Sequence, residues 1–583
     1  MCSRDHNTRC FIGRLCAVVT IAAGLVSVAA PAAWAQSFQI GPANPAFEAW
    51  RDGRIPQAKS GDHALGYIPL PWQQMQFKEE PGAKGPKDFP ASYDLRTEGD
   101  VTPVRDQGGC AACWTFSTYG SAESWLLKNP DETWDFSENN LKNYYGYDPG
   151  PCAGGNDFMA CAYLARGGGP ILEADDPYND YDDRPSPGGP KQKQMKSMLR
   201  FPTSAEIKDA IMNYGALSVS MYWDNGNYNG ADYTYYHPSW GYPYPNHAVT
   251  LVGWDDTKVV TGGGAQPDPP GPGAWLIKNS WGASFGQSGY FYLSYYDSVG
   301  VVPSGGGYGF FPLEPDTTYG RIYQYDELGF VEAQGNGTDT CWGANVFTAE
   351  ASENLVAVAF YAPAPNATYT VYVYDTFSGT AFSDLLGSKS DSLANEGYHT
   401  ITLDTPIALT NGDEFGIAVR LTTPGFTYPI ACETNSPGWT SAAVVNAGES
   451  FFSSDGTYWW GAGSNVCLKG LTAGVPAGTL DSDDDGVPDI DDAFRWNPNG
   501  QTDTDSDGIG DEWEMVWFGN LTTADETTDY DGDGVSDIRE FEAWYFNFDP
   551  TDGLSELPAA GVAALAAAAV LIAAAARRRL LGA

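Results

Sequence analysis

Positive charge is the scarcest property of this sequence. Lys and Arg together number 31 against 74 Asp and Glu in 583 residues, a formal charge of −43. Such a surface repels phosphates, which excludes nucleic acid as a partner. Charge of either sign is thin along most of the chain and gathers near the C-terminus, so the acidity is local. Histidine occurs five times, which leaves imidazole chemistry few places to sit. A chain of this length exceeds one hydrophobic core and divides into three or so domains. Aromatic residues are plentiful, at 14%, among many Gly, Asn and Tyr, a composition that suits a β-rich secreted protein.

Residues 1–35 read as a signal peptide. Arg4, Arg9 and Arg14 precede an apolar run from Leu15 to Ala30, and Ala33-Trp34-Ala35 supplies a small-x-small cleavage site, so the exported chain is expected to begin near Gln36. Removal of Cys2, Cys10 and Cys16 leaves seven cysteines in an oxidising setting. An odd number implies a free thiol.

The stretch Gln107 to Ser117 reads Gln-Gly-Gly-Cys-Ala-Ala-Cys-Trp-Thr-Phe-Ser. Two cysteines three apart suggest a redox or metal pair, but the second is followed at once by a helical pattern in which Trp114, Ala122, Trp125 and Leu126 share a face. Cys113 therefore begins a helix. Unpaired N–H groups and the positive end of the dipole there stabilise a thiolate and make cysteine a nucleophile near neutral pH. An arbitrary cysteine in a secreted protein is more often a buried, inert thiol beside a disulfide. The segment, however, resembles the active-site signature of papain-like cysteine peptidases, and the resemblance places Gln107, Cys113 and Trp114 on that family's oxyanion-hole, nucleophile and following-Trp positions. The run Pro-Asn-His-Ala-Val-Thr-Leu-Val-Gly-Trp around His247 resembles the family's histidine motif, roughly 130 residues after the cysteine, within the spacing of this class. Trp275-Leu-Ile-Lys-Asn-Ser-Trp-Gly resembles the third signature, which makes Asn279 the residue orienting the imidazole and Trp281 the indole shielding that hydrogen bond. A Gly/Pro-rich insertion from Gly262 to Gly273 separates the two strands, and an insertion at a hairpin end costs little.

The resemblance implies an α+β papain-like peptidase domain over 88–303. Asp94-Leu-Arg and Val101-Thr-Pro-Val-Arg-Asp-Gln resemble its extended entry, and Pro151-Cys-Ala-Gly-Gly its Cys-x-Gly-Gly turn. A disulfide between Cys110 and Cys152 is implied by the same likeness. The second bridge of relatives is missing, since Tyr145 stands where its first cysteine should be, which leaves Cys161 as a core thiol. Ala111-Ala112 replaces the usual Gly-Ser between the signature cysteines, and alanine resists φ > 0 if the position needs it. Ahead of this domain, residues 36–87 form a poorly periodic leader or short propeptide that lies along the catalytic domain. The long helical prosegment of the plant and lysosomal enzymes is not in it. Whether it is cleaved or blocks the cleft is not legible.

From 304 to 475 the pattern changes to alternating strands with turns, among them Tyr369-Thr-Val-Tyr-Val-Tyr and Phe415-Gly-Ile-Ala-Val-Arg-Leu, an all-β sandwich. It resembles the lectin-like domain of some bacterial papain-like peptidases; sugar binding does not follow from fold analogy. One disulfide is expected among Cys341, Cys432 and Cys467. Residues 476–553 hold three copies of one spacing: Asp481, Asp483, Asp485, Asp489 and Asp492; Asp503, Asp505, Asp507, Asp511 and Glu514; Asp529, Asp531, Asp533, Asp537 and Glu540. Alternate carboxylates, Gly at the sixth position and an acid at the twelfth let one loop wrap a hard cation, so Ca2+ is expected. An acidic linker is the plain alternative; the series resembles thrombospondin type 3 repeats. Residues 554–583 carry eighteen apolar residues from Ala559 to Ala576 and then Arg577, Arg578 and Arg579. That layout reads as a C-terminal transmembrane helix, either a membrane anchor or a sorting signal for a sortase-like processing enzyme.

These readings converge on a multidomain exported cysteine endopeptidase, presented at the cell surface or outer envelope, that hydrolyses protein or peptide substrates without a catalytic cofactor. Cys113 attacks, His247 takes and returns the proton, Asn279 holds the ring, and Gln107 with the Cys113 N–H forms the oxyanion hole. Cys113 and His247 are expected as a thiolate–imidazolium pair. The alternative is a non-catalytic surface adhesin that keeps the fold.

Overall fold

The computed structural model describes residues 38–473 apart from 55–58, 78, 80–87, 181–188, 239–243 and 265, and within 501–541 all but 506, 526, 527, 529, 531–535, 539 and 540. The expected signal peptide, the first acidic repeat (Asp481, Asp483, Asp485, Asp489, Asp492), four expected ligands of the third (Asp529, Asp531, Asp533, Glu540) and the C-terminal tail lie outside the described residues. Among the described residues no helix is long and apolar enough to cross a membrane.

Helix Cys113–Lys128 is the axis of the catalytic region. It is apolar or small almost all round, and all but three of its residues are buried, as expected of a helix enclosed by other elements. Its Ser117 and Thr118 hydroxyls return to the Trp114 carbonyl, so their burial leaves no orphan donor. Lys128 ends it with a charge suited to the negative pole and an ion pair to Asp100 at 2.8 Å. The helix lies on strand His247–Asp255, and Gly120 sets how closely: a Cβ there would meet Thr250 Oγ1 at 2.5 Å. That close approach brings the helix start to the strand start.

Strand His247–Asp255 pairs antiparallel with Leu217–Met221 on one side and Ala274–Lys278 on the other, and the latter continues to Tyr290–Ser294. The inserted 262–273 segment leaves the pairing of Asp255 with Ala274 intact. On its other flank the sheet runs through Gly307–Phe310 and Ser197–Phe201 into Gly397–Ala408, Asn354–Ala362 and Leu468–Ala473. One thirteen-stranded sheet thus crosses from the catalytic region into the β-rich region. Against its far part packs a second, six-stranded sheet in the order Phe382–Leu393, Ala367–Phe377, Glu414–Thr422, Thr340–Thr348, Ser450–Ser453, Trp460–Gly461. Inward residues of both, Val358 and Phe360 against Val371, Val373, Ile417 and Val419, fill the sandwich core. One buried ion pair crosses between the regions, Arg200 Nη1 to Glu396 Oε2 at 2.6 Å, and a second, Lys469 Nζ to Asp326 Oδ2 at 3.0 Å, lies within the β-rich region. Such pairs add little net stability but strongly penalise a shifted register.

The cysteines correct one expectation. Cys341, Cys432 and Cys467 are all free and buried, as is Cys161. Cys432 stands opposite Val466 in an antiparallel ladder, so Cys467, one residue on, points through the other face of that ladder. Cys432 joins the sandwich core and Cys467 the catalytic core, and the sheet between them forbids a bridge.

Candidate active site

Cys113 opens its helix with no side-chain cap ahead of it, so the backbone N–H groups are free to serve the sulfur. Ala248 N donates to Sγ at 3.4 Å, and the nearby N–H groups of Gly66, Trp114 and Cys113 itself add to the field that favours its anion. Ala112 adopts φ −97°, so the alanine pair needs no left-handed residue. The Cys110–Cys152 disulfide is present, with the two Cα atoms 4.7 Å apart, and ties the signature loop to the Gly154–Gly155 turn.

His247 begins its strand and is fully buried. Its Nε2 donates to Asn279 Oδ1 at 2.9 Å, which leaves Nδ1, buried and without a hydrogen-bond partner, as the basic nitrogen. Asn279 follows the end of strand Ala274–Lys278 and is fixed by its own N–H to the Gly289 carbonyl at 2.9 Å. The Trp281 ring stacks on His247 at 4.9 Å and 24°, covering the His–Asn bond from water. Trp114 is buried behind the nucleophile, with the Gly155 backbone pressed on its ring. Gln107 is fully buried; its Nε2 donates to the carbonyls of Ala64 at 2.8 Å and Cys110 at 2.9 Å. The structure therefore brings together Gln107, Cys113, His247, Asn279, Trp114 and Trp281.

The leader enters this same site. Tyr67 N donates to Asn246 O at 3.1 Å, Ile68 N to Gly155 O at 2.9 Å, and Gly155 N to Gly66 O at 2.8 Å. Ala64, at the Gln107 amide, and Gly66, at the Cys113 sulfur, put leader backbone on both halves of the chemistry. A Cβ at Gly66 would sit 2.0 Å from the Ala111 carbonyl oxygen, so no other residue fits this position. His63 stacks on the outer face of Trp281 at 5.2 Å and bonds Asp106 at 2.9 Å.

Covering the site decides its electrostatics. Burial pushes the Cys113 thiol up to about 11, against the lowering pull of its N–H donors. Burial likewise lowers His247 to about 4, against the raising effect of Asn279. Beneath the leader the pair is a neutral thiol and a neutral imidazole, not the thiolate–imidazolium pair expected from the sequence, because desolvation penalises both charges.

Sequence reasoning missed the residues that hold these groups. Ser280 Oγ donates to Gln107 Oε1 at 2.7 Å and turns its amide nitrogen toward the leader. Tyr178 Oη holds the Gln107 carbonyl at 2.8 Å. Lys278 Nζ donates to Thr102 Oγ1 at 3.1 Å, which donates to Glu123 Oε2 at 2.7 Å, a buried network under the residue before Asn279. Ser280 and Lys278 sit inside the third signature and were open to notice; Tyr178 and Thr102 carry no local signal.

The second acidic repeat folds as a loop. Carboxylate oxygens of Asp503, Asp505 and Asp507 lie within 4.8 Å of one another, as do those of Asp505, Asp511 and Glu514. Gly508 at the sixth position has φ +90°, which the turn requires. Glu514 is 0% exposed, and neither of its oxygens has a hydrogen-bond partner. Burial and then the charges of Asp507, Asp505 and Asp511 push it up to about 7. A buried acid with two orphan oxygens facing three carboxylates fits a hard cation. Among the described residues the third repeat shares one bond with the second: Thr504 N donates to Asp511 Oδ1 at 2.7 Å and Tyr530 N to Asp537 Oδ1 at 3.0 Å.

Residues 89–302 match the family model for papain family cysteine proteases and residues 322–472 the model for a lectin like domain. A cathepsin L-like peptidase of Aedes aegypti is 30% identical over 209 residues, covering 35% of this chain and 58% of its own length. The chain spans a little over half the length of the curated relatives it matches. Among solved structures, the cysteine protease and lectin-like domains of Cwp84, a surface layer associated protein of Clostridium difficile, superpose with a TM-score of 0.63 at 24% identity, over 75% of this chain and 98% of that one. A clostridial Cwp84 cysteine protease after propeptide cleavage gives 0.58 at 25% identity, over 66% and 99%.

Proposed function

We propose, from a chain that carries a papain-family cysteine protease domain followed by a lectin-like domain, that it is the leader-blocked precursor of an exported cysteine endopeptidase. The observation that carries this reading is the Cys113–His247–Asn279 arrangement with the Gln107 amide already holding a peptide carbonyl, that of Ala64. With the leader gone, water and substrate reach the pair. His247 Nδ1 takes the thiol proton and Cys113 Sγ adds to the substrate carbonyl carbon, while Gln107 Nε2 and the Cys113 N–H receive the charge on oxygen. Collapse expels the amine with the proton from His247. Water, deprotonated by the same nitrogen, then cleaves the thioester, and the acid leaves with Cys113 restored as thiol. Asn279 keeps Nδ1 aimed throughout, and no step needs a metal.

The finer parts of the reading follow. Residues 1–35 act as the export signal, residues 554–583 as an anchor or as a sorting signal for a sortase-like enzyme, and the cell surface or envelope is the destination. The surface association printed for Cwp84 supports that location. Ca2+ is held by the acidic repeats, with Asp503, Asp505, Asp507, Asp511 and Glu514 as the ligand set best supported by geometry. There it supplies charge neutralisation for a stiff stalk.

The test is labelling of the processed protein with a thiol-directed epoxide, read by mass spectrometry, together with casein hydrolysis. Modification at Cys113 and cleavage are expected. Absence of both in folded, leader-free protein would leave the surface adhesin as the better description.

A further inference from the structure

The leader's hold on the cleft is rooted in another part of the protein. Phe38 stacks on Phe452 at 4.2 Å and 8° and meets the edge of Trp460 at 5.7 Å. Strand Gln39–Ile40 adds antiparallel to the edge of Glu332–Gly335, and Gly41 N donates to Ala333 O at 2.7 Å. Helix Pro45–Arg51, capped by Asn44 Oδ1 on Ala46 N at 3.0 Å, lays Phe47 and Trp50 edge-on to Trp439 at 4.9 and 5.6 Å. Every one of these partners belongs to the lectin-like region, and none touches the catalytic residues.

The chain then crosses the cleft and comes back. Asn44 N donates to Pro71 O and Gln73 N to Pro42 O, each at 3.0 Å, so residues 42–44 and 71–73 close a loop at its neck. Trp72 at that neck stacks on Phe330 of the lectin-like region at 3.8 Å and 14°. Gln74 Nε2 then donates to Glu396 Oε1 at 2.6 Å, and Met75 O accepts from Arg200 Nη1 at 3.2 Å, which seats the leader on the buried ion pair between the two regions. The tip of the closed loop is the segment 63–68 in the active site.

From this layout we infer that the lectin-like region carries a polypeptide-docking surface, an open strand edge flanked by aromatic slots, whose occupant is leader residues 38–50. This grip keeps the catalytic cleft shut from outside the catalytic domain, and the inference rests on the reading of the leader as a block. The physical reason is effective concentration. The tip makes a few backbone hydrogen bonds of modest net worth and buries Leu65, Tyr67 and Ile68, contacts it keeps only while it is held in the cleft. A closed loop fastened at its neck presents that tip to the cleft as an intramolecular ligand at roughly millimolar effective concentration, and so it stays bound. Strand addition supplies main-chain bonds and register, while the buried Phe47 and the half-buried Phe38 and Trp50 supply anchor energy.

The test uses the full chain with Phe38→Ala and Trp50→Ala, alone and together. Amide exchange is read at Tyr67 and Ile68, whose N–H groups bond across the cleft, and at strand His247–Asp255 as an internal control. Loss of protection at Tyr67 and Ile68 by roughly ten- to hundredfold, with the control strand unchanged, is expected, because aromatic anchors packed into a partner surface carry that much binding. Epoxide labelling of Cys113 in the same unprocessed chains should quicken by a similar factor. Wild-type protection at Tyr67 and Ile68 in the double variant overturns the inference. If the control strand also loses protection, Phe38→Leu and Trp50→Phe, which stay apolar and lose less volume than the alanine variants, are read against the same criterion. Exchange is independent of turnover: exposed cleft amides in a chain that never hydrolyses peptide would leave the docking surface standing and remove the peptidase reading instead.

Discussion

Gly66→Ala tests the block at its tightest point. The Cβ it adds would sit 2.0 Å from Ala111 O and 2.6 Å from Ala111 C, both backbone atoms. Ala111 cannot retreat, because the preceding residue, Cys110, is bridged to Cys152 and the Cys110 carbonyl accepts from Gln107 Nε2. Gly66 cannot retreat either without breaking the Gly155 N–H bond to its own carbonyl. The leader must lift away from the sulfur. Overpacking of this kind costs about 1–3 kcal/mol, which loosens the tip roughly five- to hundredfold. The assay is the second-order rate of epoxide labelling of Cys113 in the unprocessed chain, with thermal unfolding as the control for the fold. Labelling should accelerate by that factor while the unfolding midpoint barely moves, since the tip contributes a small part of the buried surface. An unchanged labelling rate in a folded Gly66→Ala precursor would falsify the claim that leader backbone limits access to the nucleophile.

Four further outcomes follow from the same geometry. The covered thiol is raised to about 11 and the covered imidazole lowered to about 4, so in the precursor the reactive thiolate fraction grows with pH up to that range; alkylation should rise steadily from pH 6 to 10, whereas the leader-free enzyme should give a bell-shaped rate profile, and a plateau near neutrality in the precursor contradicts the neutral pair. Asn279→Ala removes the bond that aims His247, along with an acceptor for Ser280 N, and should lower kcat/KM by roughly ten- to hundredfold, well short of the loss in Cys113→Ser; equal losses at unchanged stability would mean that Asn279 does more than orient. Replacing Cys110 and Cys152 by Ser opens a loop with a sequence separation of 42 and should cost about 4 kcal/mol, read as a lower unfolding midpoint; an unaltered midpoint refutes the anchoring role. Chelation should leave peptide hydrolysis unchanged yet expose 481–540 to proteases; without metal, Glu514, held near 7 against an ordinary 4.5, favours its protonated form, so the stability that this group lends to metal-free repeats is present below pH 4.5 and lost as pH rises to 7, and equal protease resistance with and without calcium argues against the cation.

The grouping of the candidate catalytic residues was legible because each lies at or beside the end of one element inside a short local pattern. Cys113 starts a helix, His247 starts a strand, Asn279 ends one, and Gln107 is held by Ser280 from within a quoted signature. The clustering of the second acidic repeat was legible for the same reason, since twelve consecutive residues carry all five of its candidate ligands. Cysteine pairing was not, because whether Cys432 and Cys467 share a face depends on a ladder register that composition does not set. The leader's role was hidden more deeply. Its elements are two to seven residues long, too short for either period to show, and its bonds reach far: Gln107 to Ala64 spans 43 residues and Gln74 to Glu396 spans 322. A segment with so little order of its own takes its conformation from surfaces supplied by the rest of the chain. That is the property a removable block needs. A self-folding leader would keep its shape after cleavage and rebind, whereas one ordered by Phe452, Trp439, Phe330 and the cleft pays its ordering entropy again at each return, and once cut it is lost to dilution.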